Sequence, residues 1–477
     1  MNMMHIVHLI NRRFGQFPGT ARNIARPLLA SFAASLLGAG LLLSGTTRAQ
    51  DATSSSVDAS ALAVRFLDQL DGGEYAQAES MFNAQMAQAV PADKLQAVWK
   101  SLPIQAGKAE GRGEAASVLQ GDTTMVKIPL HYANAALVAK IIIDAEGKIA
   151  GFLIQPAEGP PTAEVPEDAP YTESDLIVGA GERALPGTLA MPKHTVQNTG
   201  KSSIKLVPAV VLVHGSGPHD RDESIGANRP FLDIARGLAA QGVAVLRYEK
   251  RTKARPQDFA NGVYGVDDET TNDAALAVEA LRNVKGIDPA RVFVLGHSQG
   301  GLMAPRIAAV SGHVAGLVLM AAPARPLLDI LIEQNRRLAV LDDGKTSDIE
   351  RNAINALIQQ VATTRDTATE ATTKTVMGMP AGYWRSIDVV DPVAEAKAID
   401  LPMLVLQGAR DIQVVDADWQ LWRGGFHDNA KVQFKLYEKL NHLGITGEGD
   451  GNLAEYGNPG HVDAKLIDDV ATWIKAH

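Results

Sequence analysis

Runs of consecutive apolar residues recur in the C-terminal part of the chain and alternate with stretches of helical spacing. The runs fall at 209–213, 243–246, 292–295, 317–321 and 403–406. Helical spacing occupies 234–241 and 271–283. Continuous apolar strands are typical of a parallel sheet covered on both faces, and the alternation with helices predicts βα units. The pattern therefore predicts an α/β domain with a mostly parallel sheet over residues 171–477.

The alternation is interrupted between the fourth and fifth runs. Residues 325–385 are mostly of helical pattern, and the crowded apolar positions 327–332 predict a buried helix. An insertion at this place predicts a helical cap above the carboxyl ends of the strands. Four of its side chains have two interpretations, as the lining of an acyl pocket or as ordinary packing beneath the cap: Met377, Met379, Tyr383 and Trp384.

A second pattern covers residues 57–157. Helical spacing comes first, and strand-like segments follow at 123–131, 137–143 and 149–154. Helices followed by hairpin-connected strands predict a separate small α+β domain. Residues 158–170, which are rich in proline and acid, predict an extended linker between the two domains.

Residues 1–49 have the composition of a targeting segment. They carry five arginines and no acidic residue, an apolar stretch at 27–43, and a small-x-small cleavage pattern at 47–49. This predicts a signal peptide that is cleaved to leave no stable membrane anchor, with the periplasm or the exterior as the destination. The pair Arg12 and Arg13 leaves twin-arginine export open, and a retained anchor is the alternative.

Charge and cysteine content narrow the possible partners. The net charge is −9, and it becomes −14 without the five arginines of the leading segment. Binding to nucleic acid requires clustered basic residues, so we expect no nucleic-acid partner. The chain has no cysteine, which excludes disulfides and thioether-linked lipid.

The pentapeptide Gly-His-Ser-Gln-Gly at 296–300 follows an apolar run and precedes a helical pattern. A serine at the tip of such a strand-turn-helix connection projects its hydroxyl above the sheet, and glycines two residues away let strand and helix approach closely. We therefore predict Ser298 as a nucleophile. The alternative is a structural turn, because the bare motif is short.

A nucleophilic serine needs a base and an acid, in the chain order Ser, Asp, His. The run at 403–406 leads into the segment Gln-Gly-Ala-Arg-Asp, which ends at Asp411 just past the end of the strand, where open α/β sheets build their sites. His442 lies on a loop after the strand-like segment 432–437. These two are the predicted acid and base; the competing residues, which fit turns or caps, are Asp416, Asp418, His427 and His461.

The run at 209–213 ends in a glycine-rich turn, His-Gly-Ser-Gly-Pro at 214–218. Backbone N–H groups in such a turn can stabilise an oxyanion together with the N–H of the residue after the nucleophile. Ser216 and Gln299 are the predicted donors. The alternative is a plain strand-to-helix connection.

The charged string at 219–223 is better explained by ion pairs than by a metal site, because adjacent residues point in different directions. Asp222 or Glu223 is expected to pair with Arg247, Lys250 or Arg251 and so to hold the glycine-rich turn. Neither a metal nor another cofactor is expected, and no P-loop or complete dinucleotide turn is found in the sequence.

Taken together, these residues resemble the α/β-hydrolase family over residues 171–477. The segments 214–223 and 246–252 are similar to a bacterial carboxylesterase subgroup related to serine aminopeptidase-like and dienelactone-hydrolase-like enzymes. The resemblance implies ester hydrolysis, with Ser298, Asp411 and His442 at the triad positions. Residues 57–157 resemble NTF2-like domains, which implies ligand holding or a homodimer.

The sequence thus predicts a serine carboxylesterase that hydrolyses small to medium esters through an acyl-enzyme. Two alternatives stay open. One is an aminopeptidase-like hydrolase, for which Glu333 or the pair Asp342 and Asp343 would anchor a substrate amine. The other is a non-catalytic envelope binding protein, which would have no use for a complete triad.

Overall fold

The computed structural model describes residues 52–106, 108–132, 135–157, 164–193, 206–340, 344–346 and 348–477. They form two compact units, one before residue 160 and one after it. The predicted signal peptide and residues 158–163 of the predicted linker lie outside the described residues. Within the described ranges, every helix is too short or too polar to cross a membrane.

The N-terminal unit has helices first and a sheet afterwards. Its helices are α1 (Ala52–Asp71), α2 (Tyr75–Ser80), α3 (Ala84–Ala89) and α4 (Ala92–Ala106). The strands are β1 (Ala109–Arg112), β2 (Ala116–Gln120), β3 (Thr123–Tyr132), β4 (Ala135–Ile143) and β5 (Ile149–Pro156). They pair antiparallel in the order β1-β3-β4-β5, with β2 also on β3. This confirms the predicted small α+β fold.

The spacing of the apolar residues explains how the helices and the sheet of that unit share one core. Phe66, Leu67 and Leu70 recur at helical spacing on α1 and are fully buried, while Ile141 and Ile143 alternate along β4 into the same core. The short strands β1 and β2 were not predicted, because they bury little and therefore show no clear alternation.

The C-terminal unit is built on an eight-stranded sheet. Its strands are β6 (Tyr171–Val178), β7 (Leu185–Pro192), β8 (Val207–Val213), β9 (Ala244–Tyr248), β10 (Ile287–His297), β11 (Leu317–Met320), β12 (Met403–Gly408) and β13 (Val432–Tyr437). The order is β13-β12-β11-β10-β8-β9-β7-β6. Strands β8 to β13 pair in parallel, and β6 and β7 are antiparallel. The predicted mostly parallel sheet is confirmed.

Helices cover both faces of this sheet. They are α5 (Pro230–Ala240), α6 (Arg251–Ala254), α7 (Asn272–Arg282), α8 (Gln299–Ser311), α9 (Leu327–Val340), α10 (Asp348–Arg365), α11 (Ala381–Asp388), α12 (Pro392–Ile399), α13 (Asp416–Phe426) and α14 (Ala464–Ala476). Alternate residues of β8 enter opposite cores: Val211 and Val213 pack on one side, Val210 and Leu212 on the other. This two-sided burial explains the unbroken apolar runs.

The predicted cap comprises α9, α10 and α11, between β11 and β12. A buried carboxylate fixes its first residues: Asp418 accepts hydrogen bonds from the Ala324 N–H at 2.9 Å and from the Arg325 guanidinium at 2.7 Å. Tyr383 and Trp384 lie in the core, and the Trp384 indole donates to the Val376 carbonyl at 2.8 Å. For these two aromatic residues the packing interpretation therefore holds.

Candidate active site

Ser298 occupies the turn between the end of β10 and the start of α8, near the middle of the sheet. Its backbone has φ 54° and ψ −120°, a conformation that costs free energy for a residue with a Cβ and that is concentrated at functional sites. His297 and Gln299 on either side are buried, whereas Ser298 is half-exposed. The strained turn therefore presents one hydroxyl at the surface of a buried scaffold.

The glycines of the pentapeptide are required by close backbone contacts. A Cβ on Gly296 would lie 2.2 Å from the Gly300 carbonyl oxygen, and one on Gly300 would lie 2.1 Å from the Val213 carbonyl oxygen. No side chain fits at either position. The motif is thus a packing requirement of the strand, the turn and the helix together.

Asp411 and His442 are brought together by the ends of β12 and β13. The His442 Nδ1 and the Asp411 Oδ2 are 2.7 Å apart, and both side chains are buried. Asp411 Oδ1 also accepts from the backbone N–H groups of Gln413 at 2.8 Å and Val414 at 3.0 Å. These donors all suit an ionised carboxylate, which holds a proton on Nδ1 and leaves Nε2 able to accept one.

The loop that carries His442 is fixed by its own side chains. Asn441 Oδ1 accepts from the N–H groups of Leu443 at 3.0 Å and Ile445 at 3.2 Å, which closes a tight turn around the histidine. A Cβ on Gly408 would lie 2.2 Å from the Leu440 carbonyl oxygen. The loop therefore rests directly on the end of β12, next to Asp411.

A second histidine, His297, lies behind the nucleophile. Its Nδ1 is 2.8 Å from Glu223 Oε2, and its Nε2 is 2.9 Å from the His442 carbonyl oxygen. A carboxylate and a carbonyl oxygen both accept hydrogen bonds, so both ring nitrogens carry a proton and His297 is an imidazolium. The residue before Ser298 thereby holds the backbone of the candidate base.

The pKa directions of this pair agree with its geometry. Burial alone would lower the pKa of His297, but the charge of Glu223 and the hydrogen bond to it outweigh burial and raise that pKa. Burial alone would raise the pKa of Glu223, but the charge of His297, its hydrogen bond and the charges of two further histidines together outweigh burial and lower that pKa to about 2. The two groups therefore form a buried ion pair.

Glu223 also holds the glycine-rich turn after β8. It has a positive φ of 52°, and its Oε1 accepts from the Gly215 N–H at 2.6 Å. Asp222, by contrast, pairs with Arg247, which is one of the pairings expected from the sequence. The row of charges at 219–223 could not show that Glu223 turns inward toward His297.

The predicted oxyanion donors lie on two segments next to the nucleophile, the glycine-rich turn and the start of α8. Gly215 lies so close that a Cβ there would be 3.2 Å from the Ser298 Cβ. Since Glu223 takes up the Gly215 N–H, the next donor along the loop is the N–H of Ser216. Gln299 is the first residue of α8, where N–H groups have no intrahelical acceptor and favour negative charge.

The Ser298 hydroxyl and His442 make no direct hydrogen bond among the contacts of the described residues. Instead, His297 connects the two segments, and its ring centroid lies 4.8 Å from that of His442. Nucleophile and base often approach closely only when substrate is bound.

The competing residues lie elsewhere. His427 and His461 are exposed and pair with Asp428 and Asp233. Asp416 is exposed in the first turn of α13. Asp418 is buried, but it holds the first residues of the cap, as described above. Among the described residues, none of these four makes a hydrogen bond or an ion pair with Asp411 or His442.

Comparison with known proteins gives two family matches. The family described as "Serine aminopeptidase, S33" matches residues 205–449, which is about half of the chain. A family described as "Protein of unknown function (DUF3887)" matches residues 63–152. Esterase EstD of Thermotoga maritima is 34% identical over 413 residues, which cover 86% of this chain and 93% of that protein.

Solved structures similar to this chain include esterases and peptidases. Est1E from Butyrivibrio proteoclasticus aligns with a TM-score of 0.40 and 15% identity, over 64% of this chain and 99% of its own. A puromycin-hydrolysing peptidase of Mycobacterium tuberculosis aligns with a TM-score of 0.42 and 18% identity, over 76% of this chain. The alignment spans about half of that peptidase, 48% of its length.

The family match and the identity to the Thermotoga protein confirm the resemblance predicted from residues 214–223 and 246–252. They agree with the mostly parallel sheet and the strand-turn-helix connection at Ser298. The chain belongs to the α/β-hydrolase family of serine hydrolases described as "Serine aminopeptidase, S33".

Proposed function

We propose that the protein is a serine carboxylesterase that hydrolyses small to medium carboxylic esters through an acyl-enzyme on Ser298. The observation that carries the proposal is the buried Asp411–His442 pair, 2.7 Å apart, beside the strained turn of Ser298. The 34% identity to an esterase over most of both chains supports the ester as substrate class.

Acylation follows from these positions. The Ser298 Oγ attacks the carbonyl carbon of the ester as His442 Nε2 takes the hydroxyl proton, while Asp411 stabilises the imidazolium through Nδ1–H. The carbonyl oxygen becomes an oxyanion, which the N–H groups of Ser216 and Gln299 stabilise. The bond from carbon to the alkoxy oxygen then breaks, and His442 returns its proton to the departing alcohol.

Deacylation repeats the same steps with water. His442 Nε2 takes a proton from a water molecule, whose oxygen attacks the acyl carbonyl carbon. The bond to Ser298 Oγ breaks, the serine regains a proton from His442, and the carboxylic acid leaves. No step requires a group other than these side chains and backbone donors.

Peptidase activity is the second candidate, and the structure gives it less support. A substrate amine would need a free carboxylate near the nucleophile. Glu333, one expected anchor, is paired with Arg325 at 2.5 Å and with Arg337 at 2.9 Å. The other expected anchors, Asp342 and Asp343, lie outside the described residues.

The proposal extends to location and assembly. The arginine-rich and then apolar pattern of residues 1–49 supports export to the periplasm or beyond. Fractionation of cells that express the full chain, beside a chain lacking residues 1–49, tests this. A homodimer formed through the N-terminal unit stays a prediction, and sedimentation of the exported form would decide it.

The central experiment measures hydrolysis of p-nitrophenyl esters with acyl chains of two to twelve carbons, with Ser298→Ala beside the wild type. We expect turnover by the wild type, loss of turnover in the variant, and a chain-length optimum that reports the size of the acyl site. A fluorophosphonate should label the wild type alone. Turnover on amino-acyl p-nitroanilides without turnover on esters would favour the peptidase, and ester turnover retained by Ser298→Ala would overturn the assignment.

A further inference from the structure

A buried acid, Glu269, lies beside the nucleophile but has no part in the steps above. It is the central residue of a π-helix, Asp267–Thr271, which runs into α7. Single π-helical turns are rare and are found frequently at functional sites, because the inserted residue reorients the side chains around it. Glu269 is 2% exposed and is directed at the start of α8.

Glu269 contacts the residue that follows the nucleophile. Its Oε2 accepts a hydrogen bond from the Gln299 side-chain amide at 2.9 Å. Gln299 is itself buried and supplies one of the proposed oxyanion donors through its backbone N–H. The orientation of this first residue of α8 is therefore tied to Glu269.

On its other side, Glu269 reaches the glycine-rich turn through Lys250. Glu269 Oε1 lies 3.0 Å from the Lys250 ammonium, which donates to the Gly215 carbonyl oxygen at 2.8 Å. That carbonyl belongs to the peptide unit whose N–H is the proposed Ser216 donor, so Lys250 holds the plane of the peptide itself. Both charges are buried, and buried ion pairs are poor sources of net stability.

The cap joins the same cluster. Tyr383 on α11 donates its hydroxyl to Glu269 Oε2 at 2.7 Å, and the hydroxyl oxygen lies 3.4 Å from the Gln299 amide nitrogen. Burial, reinforced by the charge of Glu269, raises the pKa of Tyr383 well above its ordinary value, so the phenol stays protonated and donates. A single carboxylate thus receives donors from the turn side, from α8 and from the cap.

We propose that Glu269 is a positioning residue that aligns the two oxyanion donors with each other and couples their alignment to the cap through Tyr383. The inference rests on the proposed function, since it deepens the role of the same site. A cap displaced by an ill-fitting acyl chain would pull on Tyr383 and so misalign Ser216 and Gln299. Acyl specificity would then appear in kcat as well as in KM.

Two variants test this in the full chain, Glu269→Gln and Tyr383→Phe, with Tyr264→Phe as the matched control. The Tyr264 ring lies 5.6 Å from that of Tyr383, and its hydroxyl is directed at the Met379 sulfur. We expect kcat for p-nitrophenyl butyrate to fall about 100-fold in Glu269→Gln, on the scale of a lost oxyanion donor, and less, about 10-fold, in Tyr383→Phe, which removes one of the three donors to the carboxylate. KM should stay within about twofold, and Tyr264→Phe should keep the wild-type kcat.

A second measurement distinguishes misalignment of the oxyanion donors from a general loss of structure at the active site. A trifluoromethyl ketone forms a tetrahedral adduct on a nucleophilic serine, whereas the matching ether has no carbonyl. In both variants we expect affinity for the ketone to fall with kcat and affinity for the ether to stay unchanged. Equal losses for the two ligands, or wild-type kcat in folded Tyr383→Phe, would overturn the proposal.

The controls distinguish a failure of the proposal for Glu269 from a failure of the proposed function. Melting curves show whether Glu269→Gln folds; if it does not, Tyr383→Phe, which removes one hydroxyl, decides alone. A wild type that turns over esters through Ser298, together with unaffected variants, would refute the role of Glu269 only. A wild type without Ser298-dependent ester turnover would refute the proposed function itself.

Discussion

Two buried pairs of a histidine and a carboxylate meet at this site, and they differ in one partner. His442 and Asp411 are 2.7 Å apart, and His297 and Glu223 are 2.8 Å apart. The second ring nitrogen of His297, Nε2, is hydrogen-bonded to a carbonyl oxygen, whereas Nε2 of His442 has no such bond among the described contacts. The same pair of groups is therefore suited to proton transfer in one place and to holding backbone in the other.

The difference shows that a buried His–carboxylate pair is not by itself a sign of catalysis. A histidine that bonds two acceptors has to keep both protons, so it cannot serve as a base without losing a hydrogen bond. A histidine with one acceptor can exchange a proton at its other nitrogen. Changing one member of each pair should consequently produce different kinds of loss.

The largest effect is expected for Asp411→Asn. An amide can donate to His442 Nδ1, which would place the proton on Nε2 and leave the base unable to accept one from Ser298. We expect kcat to fall about 10⁴-fold, as is typical when the tautomer is wrong. Steady-state kinetics on p-nitrophenyl butyrate measure it. The matched control is Asp416→Asn, an exposed residue five positions away; kcat of Asp411→Asn within tenfold of wild type would contradict the assignment.

The next largest effect distinguishes the His297–Glu223 pair, which holds the backbone, from the His442–Asp411 pair, which is proposed to transfer a proton. His297→Leu leaves the buried Glu223 charge without its partner and releases the His442 carbonyl, so we expect stability to fall by about 3–5 kcal/mol. We also expect kcat to fall about 100-fold through misplacement of the base. Urea unfolding followed by tryptophan fluorescence reports this unit, because it contains four of the five tryptophans.

A double variant tests the cause of that loss. Glu223→Gln added to His297→Leu removes the uncompensated charge, so part of the lost stability should return. Additive losses would instead mean that the two side chains act independently, contrary to the ion pair described here.

A smaller effect should appear in the pH dependence of stability, with Glu223→Gln compared with the wild type. The raised pKa of His297 contributes stability that is complete below the ordinary value of 6.5 and is lost as pH rises through the folded value. The lowered pKa of Glu223 contributes stability that is present above 4.5 and is lost as pH falls toward about 2. The melting temperatures should differ most between pH 4.5 and 6.5, and a constant difference from pH 3 to 9 would contradict the ion pair.

The sequence predicted most of the scaffold for a physical reason. Buried parallel strands need unbroken apolar runs, and the chain order of the family places chemistry at the strand ends, so Ser298, Asp411 and His442 could be selected by position. The close contacts of Gly296 and Gly300 are likewise visible as a motif. These features share one property: their positions along the chain follow from the path of the backbone.

The supporting residues could not be predicted, because their roles depend on orientation. Glu223 stands in a row of charges, and only its positive φ turns it toward His297. Glu269 lies on a π-helical turn, whose extra residue breaks the 3.6-residue spacing from which a helix face is inferred. His297 occupies a variable position of the pentapeptide, where the motif requires no particular residue. A buried histidine beside a predicted nucleophile is the one signal that could have prompted a search for its acid.

A third pair, on the surface, gives the smallest expected effect and completes the comparison. His461 and Asp233 are 3.0 Å apart, but the His461 side chain is 89% exposed. Water screens such a pair and competes for its hydrogen bonds, so it contributes little. We expect His461→Ala to leave kcat and the melting temperature unchanged at every pH where wild type and Glu223→Gln differ. A loss comparable with that of His297→Leu would mean that proximity of a histidine to a carboxylate matters here regardless of burial and of what the second ring nitrogen contacts.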